Sequence, residues 1–247
     1  MAAIILEFAK IGNDEIELGE RERIEAAKNA SFRSPEGLFY PFVAKPNEWA
    51  THKNIGEFLI VIGSTFAKED TVLKLAENGS LSIKHIEESQ EKLILNFEIL
   101  CMRLANFLRF LYEYFRCLER GLEVKNFRFQ ILLEGYNGCF VDYSMFQANR
   151  SIWREKFAPD EKNEVVKIPS TKGDISGQRH KYREAIKTMG NVIWELAFKV
   201  KGQVQDPTST SEARLELSAE SVEKNILRFL TPEIISEYDR SRAPLFL

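Results

Sequence analysis

Residues 71–86 read TVLKLAENGSLSIKHI, and the fold turns on how that stretch is parsed. Two alternating segments flank Asn78-Gly79. Alternation at period two is the mark of a half-buried strand. Asn-Gly between two such runs signals a hairpin, because a type I′ turn needs positive φ at both central residues. A second instance follows in NFRFQILLEGYNGCFVDY, residues 126–143. There Phe127, Phe129, Ile131 and Leu133 share one face, Arg128 and Gln130 the other, and Asn137-Gly138 is expected to turn the chain back into 139–143.

Between the two hairpins the period changes. Phe97, Cys101, Leu104, Leu108, Leu111, Phe115 and Leu118 recur at alternate spacings of four and three, the heptad pattern of a helix. Leu100, Phe107, Phe110 and Tyr114 make a second apolar row beside it. So wide an apolar face points to a helix over about 90–120 covered by the chain's own sheet. The 97–118 seam also admits a homodimeric coiled coil as the other use of the same pattern. Arg116 and Arg120 place positive charge at the helix's negative end, and Gly121 stops it.

Outward from this centre, Ala3–Phe8 reads as a buried strand, 20–28 as a short charged helix, and EFLIVIGSTF (57–66) as a central strand. In SFRSPEGLFYPFVAKPNEW (31–49), Pro35, Pro41 and Pro46 forbid a helix. This part reads as loop with extended pieces held down by Phe32, Phe39, Tyr40, Phe42 and Trp49. Residues 149–157 are expected to form a short helix and 164–168 a short strand. A helix follows from about Ser176 to Val200. QVQDPTSTSE (203–212) opens a linker over 203–217. Another helix follows over 218–230, and Thr231-Pro232 starts a last short one to Tyr238. The expected class is therefore α+β: an antiparallel sheet built from two Asn-Gly hairpins, packed on a long central helix and followed by C-terminal helices. The expected organisation is one domain over 1–202, the linker, and a helical segment with a tail over 218–247 packing on the same domain.

Composition narrows the function classes. The 247 residues carry a net charge of −3 and are 44% apolar, the make-up of a soluble globular protein with no global field toward DNA or membrane. The charge is uneven: residues 1–26 hold seven acids against three bases, and residues 145–202 twelve bases against seven acids. Cys101, Cys117 and Cys139 are odd in number and lack CxxC spacing, which fits a reducing, cytoplasmic setting. The apolar stretch 93–118 is broken by charges and is not a membrane span.

The chemistry scan is mostly negative. Neither common glycine-rich phosphate cradle occurs, nor a nucleophile elbow, HExxH or any metal-ligand spacing among three histidines and three cysteines. No catalytic residue, metal or cofactor is assigned. Glu123-Val124-Lys125 has the E-x-K spacing of some metal-dependent nucleases, but so short a pattern arises by chance in a chain rich in Glu and Lys. His85 closes an alternating strand, either as an outward polar neighbour or as an acid–base group. Trp49 and His52 line a pocket or simply pin their loop.

The best-argued site is in STKGDISGQRHKYREAIK, residues 170–187. Gly173 and Gly177 allow tight turns, and Ser176 caps the helix that follows. Arg179, His180, Lys181 and Arg183 fill its first two turns, where free N–H groups attract an anion. The leading functional expectation is a non-enzymatic interaction or regulatory module of a cytoplasmic protein, with another protein as partner. The alternative is a nucleic-acid or phosphate-ligand binder using the basic 145–187 region, and a metal-dependent nuclease ranks third.

Overall fold

The structure is a computed structural model that describes residues 2–10, 17–33, 39–63, 71–87, 94–118, 127–136, 140–142, 154–156, 165–167 and 172–173. It is a mixed α/β fold. The strands are β1 (Ala2–Lys10), β2 (Phe32–Arg33), β3 (Phe39–Tyr40), β4 (Ala50–Ile55), β5 (Phe58–Ile62), β6 (Thr71–Ala76), β7 (Leu81–Glu87), β8 (Ile94–Asn96), β9 (Phe127–Glu134), β10 (Phe140–Asp142), β11 (Arg154–Lys156), β12 (Val165–Lys167) and β13 (Lys172–Gly173). Two α-helices, α1 (Glu20–Ala30) and α2 (Phe97–Cys117), complete it, with a 3₁₀ turn at Pro46–Glu48.

The main sheet runs β12-β9-β1-β7-β6-β5-β4, with β13 also on β9, and its pairings are antiparallel. Register aligns the inward residues into rows. Ile131, Leu6, Ile83, Leu73 and Val61 form one row across five strands, all within the core. Phe8, Leu81, Leu75 and Leu59 form the next. Each such side chain contributes roughly 2 kcal/mol of burial energy. The β6–β7 turn places Gly79 at φ 88°, and Ala76 N donates to Ser80 O at 2.8 Å. On the other face Lys84 reaches across β1 to Glu134 at 2.6 Å.

α2 covers the inner face: Phe115 meets Phe8 edge-on with ring centroids 5.3 Å apart. The helix starts at Phe97 because Asn96 caps it, its side chain accepting from Glu98 N at 2.8 Å and Ile99 N at 3.1 Å. Residues 94–96, expected inside the helix, are instead strand β8. Phe97, Cys101, Leu104, Leu108, Leu111 and Leu118 of the heptad seam are buried in the core beside the second row. The seam is thus taken up by this chain's own core.

α1 packs on α2 through a small-residue face, Ala26, Ala27 and Ala30 being buried. It is also fastened to the sheet by Arg23, which is 1% exposed. Arg23 Nη1 donates to Leu75 O at 2.8 Å and Glu57 O at 3.2 Å, and its Nη2 lies 3.6 Å from Glu77 Oε1.

Four expectations are corrected. β9 and β10 do not form a hairpin: β9 is flanked by β1 and by β12 with β13, while β10 joins β8 and β11 in a three-stranded sheet. With both edges of β9 occupied, the positive φ of Gly135 (67°) turns the chain away. The β8–β10 pair is parallel. Residues 154–156, expected as helix, are strand β11 antiparallel to β10, a case of sheet pairing overriding weak local preference. Among the described residues β5 lies next to the edge of the sheet, with only β4 outside it. The Asn137-Gly138 turn, the linker and the C-terminal helices lie outside the described residues, as does Gly121. No helix among the described residues is long and apolar enough to cross a membrane.

Candidate functional site

At the end of the inner face where β7 finishes, the apolar rows give way to a polar one. Leu133, Ile4, His85 and Thr71 align across β9, β1, β7 and β6. Along β7, Leu81, Ile83 and His85 alternate as buried residues, so His85 points into the core and the outward reading is corrected. Its Nδ1 lies 3.2 Å from Thr71 Oγ1, and its Nε2 is buried with no hydrogen-bond partner among the described residues.

Two further elements bring polar atoms to the same place. Tyr40 on β3 has its ring centroid 6.2 Å from that of His85. It stacks on Phe32 at 5.3 Å and meets Phe110 of α2 edge-on at 6.0 Å. Its hydroxyl is also buried without a partner. Arg103, two α2 turns before Phe110, pairs with Glu87, Nη1 to Oε1 at 2.5 Å. That contact is close enough for an ion pair but too poorly angled for a hydrogen bond. Behind Tyr40, the Arg109 guanidinium sits 3.9 Å over the Phe32 ring, a cation–π contact that fixes the aromatic stack.

The electrostatics keep this cluster neutral. Burial, aided by the Arg103 charge, lowers the His85 pKa to about 3, so the imidazole is neutral at pH 7 and offers one donor and one acceptor. Burial holds the Tyr40 phenol far above its usual range, opposed by Arg103. When Thr71 donates to Nδ1, the Nε2–H becomes a donor. The cluster then presents a phenol O–H, an imidazole N–H and guanidinium N–H groups, with Arg103 and Glu87 at its outer rim.

The residues singled out from sequence fare differently. Ser176, Gly177, Arg179, His180, Lys181 and Arg183 lie outside the described residues, and so do Glu123 to Lys125. Gly173, expected at a turn, is in β13, paired with Phe127 of β9, while Lys172 pairs with Arg128. Trp49 is buried against Phe42 at 4.9 Å and donates from Nε1 to Ala44 O at 3.2 Å, which makes it loop packing. Sequence reasoning missed Tyr40, Thr71 and Arg103. For His85 the signal was present in the strand phase, since it falls in step with Leu81 and Ile83. Among the described residues no three His, Cys, Asp or Glu side chains are grouped to hold a metal ion. Burial raises the Cys101 thiol to about 12, with Glu98 adding to the effect, which makes it a poor nucleophile. Comparison of the chain with protein-family models, curated proteins and solved structures returns no match.

Proposed function

We propose that the chain is a non-enzymatic interaction module of a regulatory kind, and that it meets a protein partner at the β4 end of its main sheet. The observation carrying this reading is the β4–β5 tip. Among the described residues β4 has no strand on its outer side, and at the tip Ile55 is 66% and Phe58 39% exposed. Paired apolar side chains beside an open edge suit docking of another chain, with backbone hydrogen bonds for affinity and side chains for specificity. The register shift between His52 and Ile55 interrupts the edge, which favours one bounded contact over indefinite edge pairing. The neutral polar cluster suits regulation better than catalysis, because a histidine with pKa near 3 exchanges no proton at pH 7.

The test places a photo-crosslinking residue at the exposed turn position Glu57, between the two apolar side chains, in the cell of origin. A discrete adduct that disappears in the I55D/F58D variant is expected. No adduct, or one that survives the double substitution, overturns the reading. Salt-sensitive binding to an oligonucleotide, unchanged by I55D/F58D, would put the binder using residues 145–187 in its place.

A further inference from the structure

We propose that Tyr40, His85 and Arg103 form a binding site for one small oxyanion group, a carboxylate or a phosphate, independent of the β4 tip. Two polar atoms from different elements, Tyr40 Oη and His85 Nε2, are buried there without hydrogen-bond partners among the described residues. The residues that carry them are 7% and 8% exposed. Burying such groups unpaired costs folding free energy, and their persistence beside one another asks for a common acceptor. Tyr40 and His85, 6.2 Å apart at their ring centroids, and Arg103, whose charge acts on both, offer donors of three kinds, the kinds that recognise an oxyanion. Arg103 supplies the charge, and it is the member nearest solvent, with its side chain 20% exposed beside Glu87 at 32%.

A second buried set, Arg23 Nε, Glu22 Oε1 and Tyr114 Oη, also lacks hydrogen-bond partners. It includes its own carboxylate acceptor, so it asks for no ligand. At Arg103 the carboxylate is already engaged, and an incoming oxyanion must compete with Glu87 for the guanidinium. This predicts substitutions of opposite sign. E87Q removes the competitor and should tighten binding about fivefold, while Y40F removes a donor and should weaken it about tenfold.

The experiment titrates the full chain with acetate and, separately, with inorganic phosphate, against chloride at matched ionic strength. It follows the His85 imidazole nitrogens by NMR and the heat by calorimetry. Saturable shifts at His85, tighter in E87Q and weaker in Y40F, are expected. Response to acetate alone assigns a carboxylate, response to phosphate alone a phosphate, and either supports the site. If Y40F does not fold, H85F, followed by calorimetry, serves as the donor-deleted variant. No saturable response to either probe, or affinities that are the same in wild type, E87Q and the donor-deleted variant, overturns the proposal.

Discussion

Two arginines face the interior of this protein from its two long helices, and they are treated differently. Arg23 of α1 is sealed in. It donates to the carbonyls of Leu75 and Glu57 and lies by Glu77. These contacts tie α1 to β6 and to the β4–β5 and β6–β7 turns, and the guanidinium works as a fixed staple. Arg103 of α2 sits at the rim with, among the described residues, only Glu87 as an ion-pair partner, beside a phenol and an imidazole nitrogen that find no hydrogen-bond partner among those residues. The same side chain is structural where backbone carbonyls engage its tip and available where they do not. Burial alone does not separate the two cases; the bookkeeping of acceptors does.

Four measurements press on that contrast. The largest effect should come from R23A, which removes the donor to the buried Leu75 carbonyl and one of two donors to Glu57 O. A loss of about 3 kcal/mol in urea unfolding is expected, and a loss under 1 kcal/mol would erase the distinction between the arginines. Acid should come next. The His85 pKa is lowered in the fold to about 3 against an unfolded value near 6.5. The unfolded chain therefore binds the extra proton first. The stability tied to neutral His85 is complete above pH 6.5 and falls as pH drops toward 3. Between pH 7 and 4.5 wild type should lose about 2 kcal/mol more than H85F, and parallel profiles would place His85 in water. R103A should cost about 1 kcal/mol, as a partly exposed ion pair does, measured by the same urea unfolding; a cost equal to that of R23A would make it a second staple. Y40F should be smallest, neutral or slightly stabilising in thermal unfolding, because it removes a buried hydroxyl that has no partner. A marked destabilisation would mean that the hydroxyl is already satisfied within the fold.

The sequence was most legible where a period repeats. The antiparallel character of the main sheet follows from alternation in 71–86 and in 127–133, and the buried face of 97–118 from its fours and threes. What escaped was pairing at a distance. Nothing local to 126–143 shows that β9 lies beside Ala2–Lys10, or that β10 runs parallel to β8. Asn137-Gly138 carries a turn preference but cannot say which strand lies across it. The candidate site was half legible for a related reason. The phase of His85 is written in its own strand. Its association with Tyr40 and Arg103 depends on how β3 and α2 cross the sheet, and a proline-punctuated loop or a helix's polar face gives no hint of that.

The position of β1 bears on how the chain reaches its fold. This strand sits inside the main sheet, yet its partners are remote: Ala2 pairs with Glu87, and Ala3 with Glu134. The β6–β7 ribbon, closed by a local turn, can assemble early. β1 must wait for it and then offers its second edge to β9, so the sheet's two halves are joined through one late-docking strand. Closing such long loops is entropically slow. Until β9 arrives, the apolar residues of β1 border an unprotected edge, and the interval before it closes is when this chain is most exposed to association with other unfolded chains.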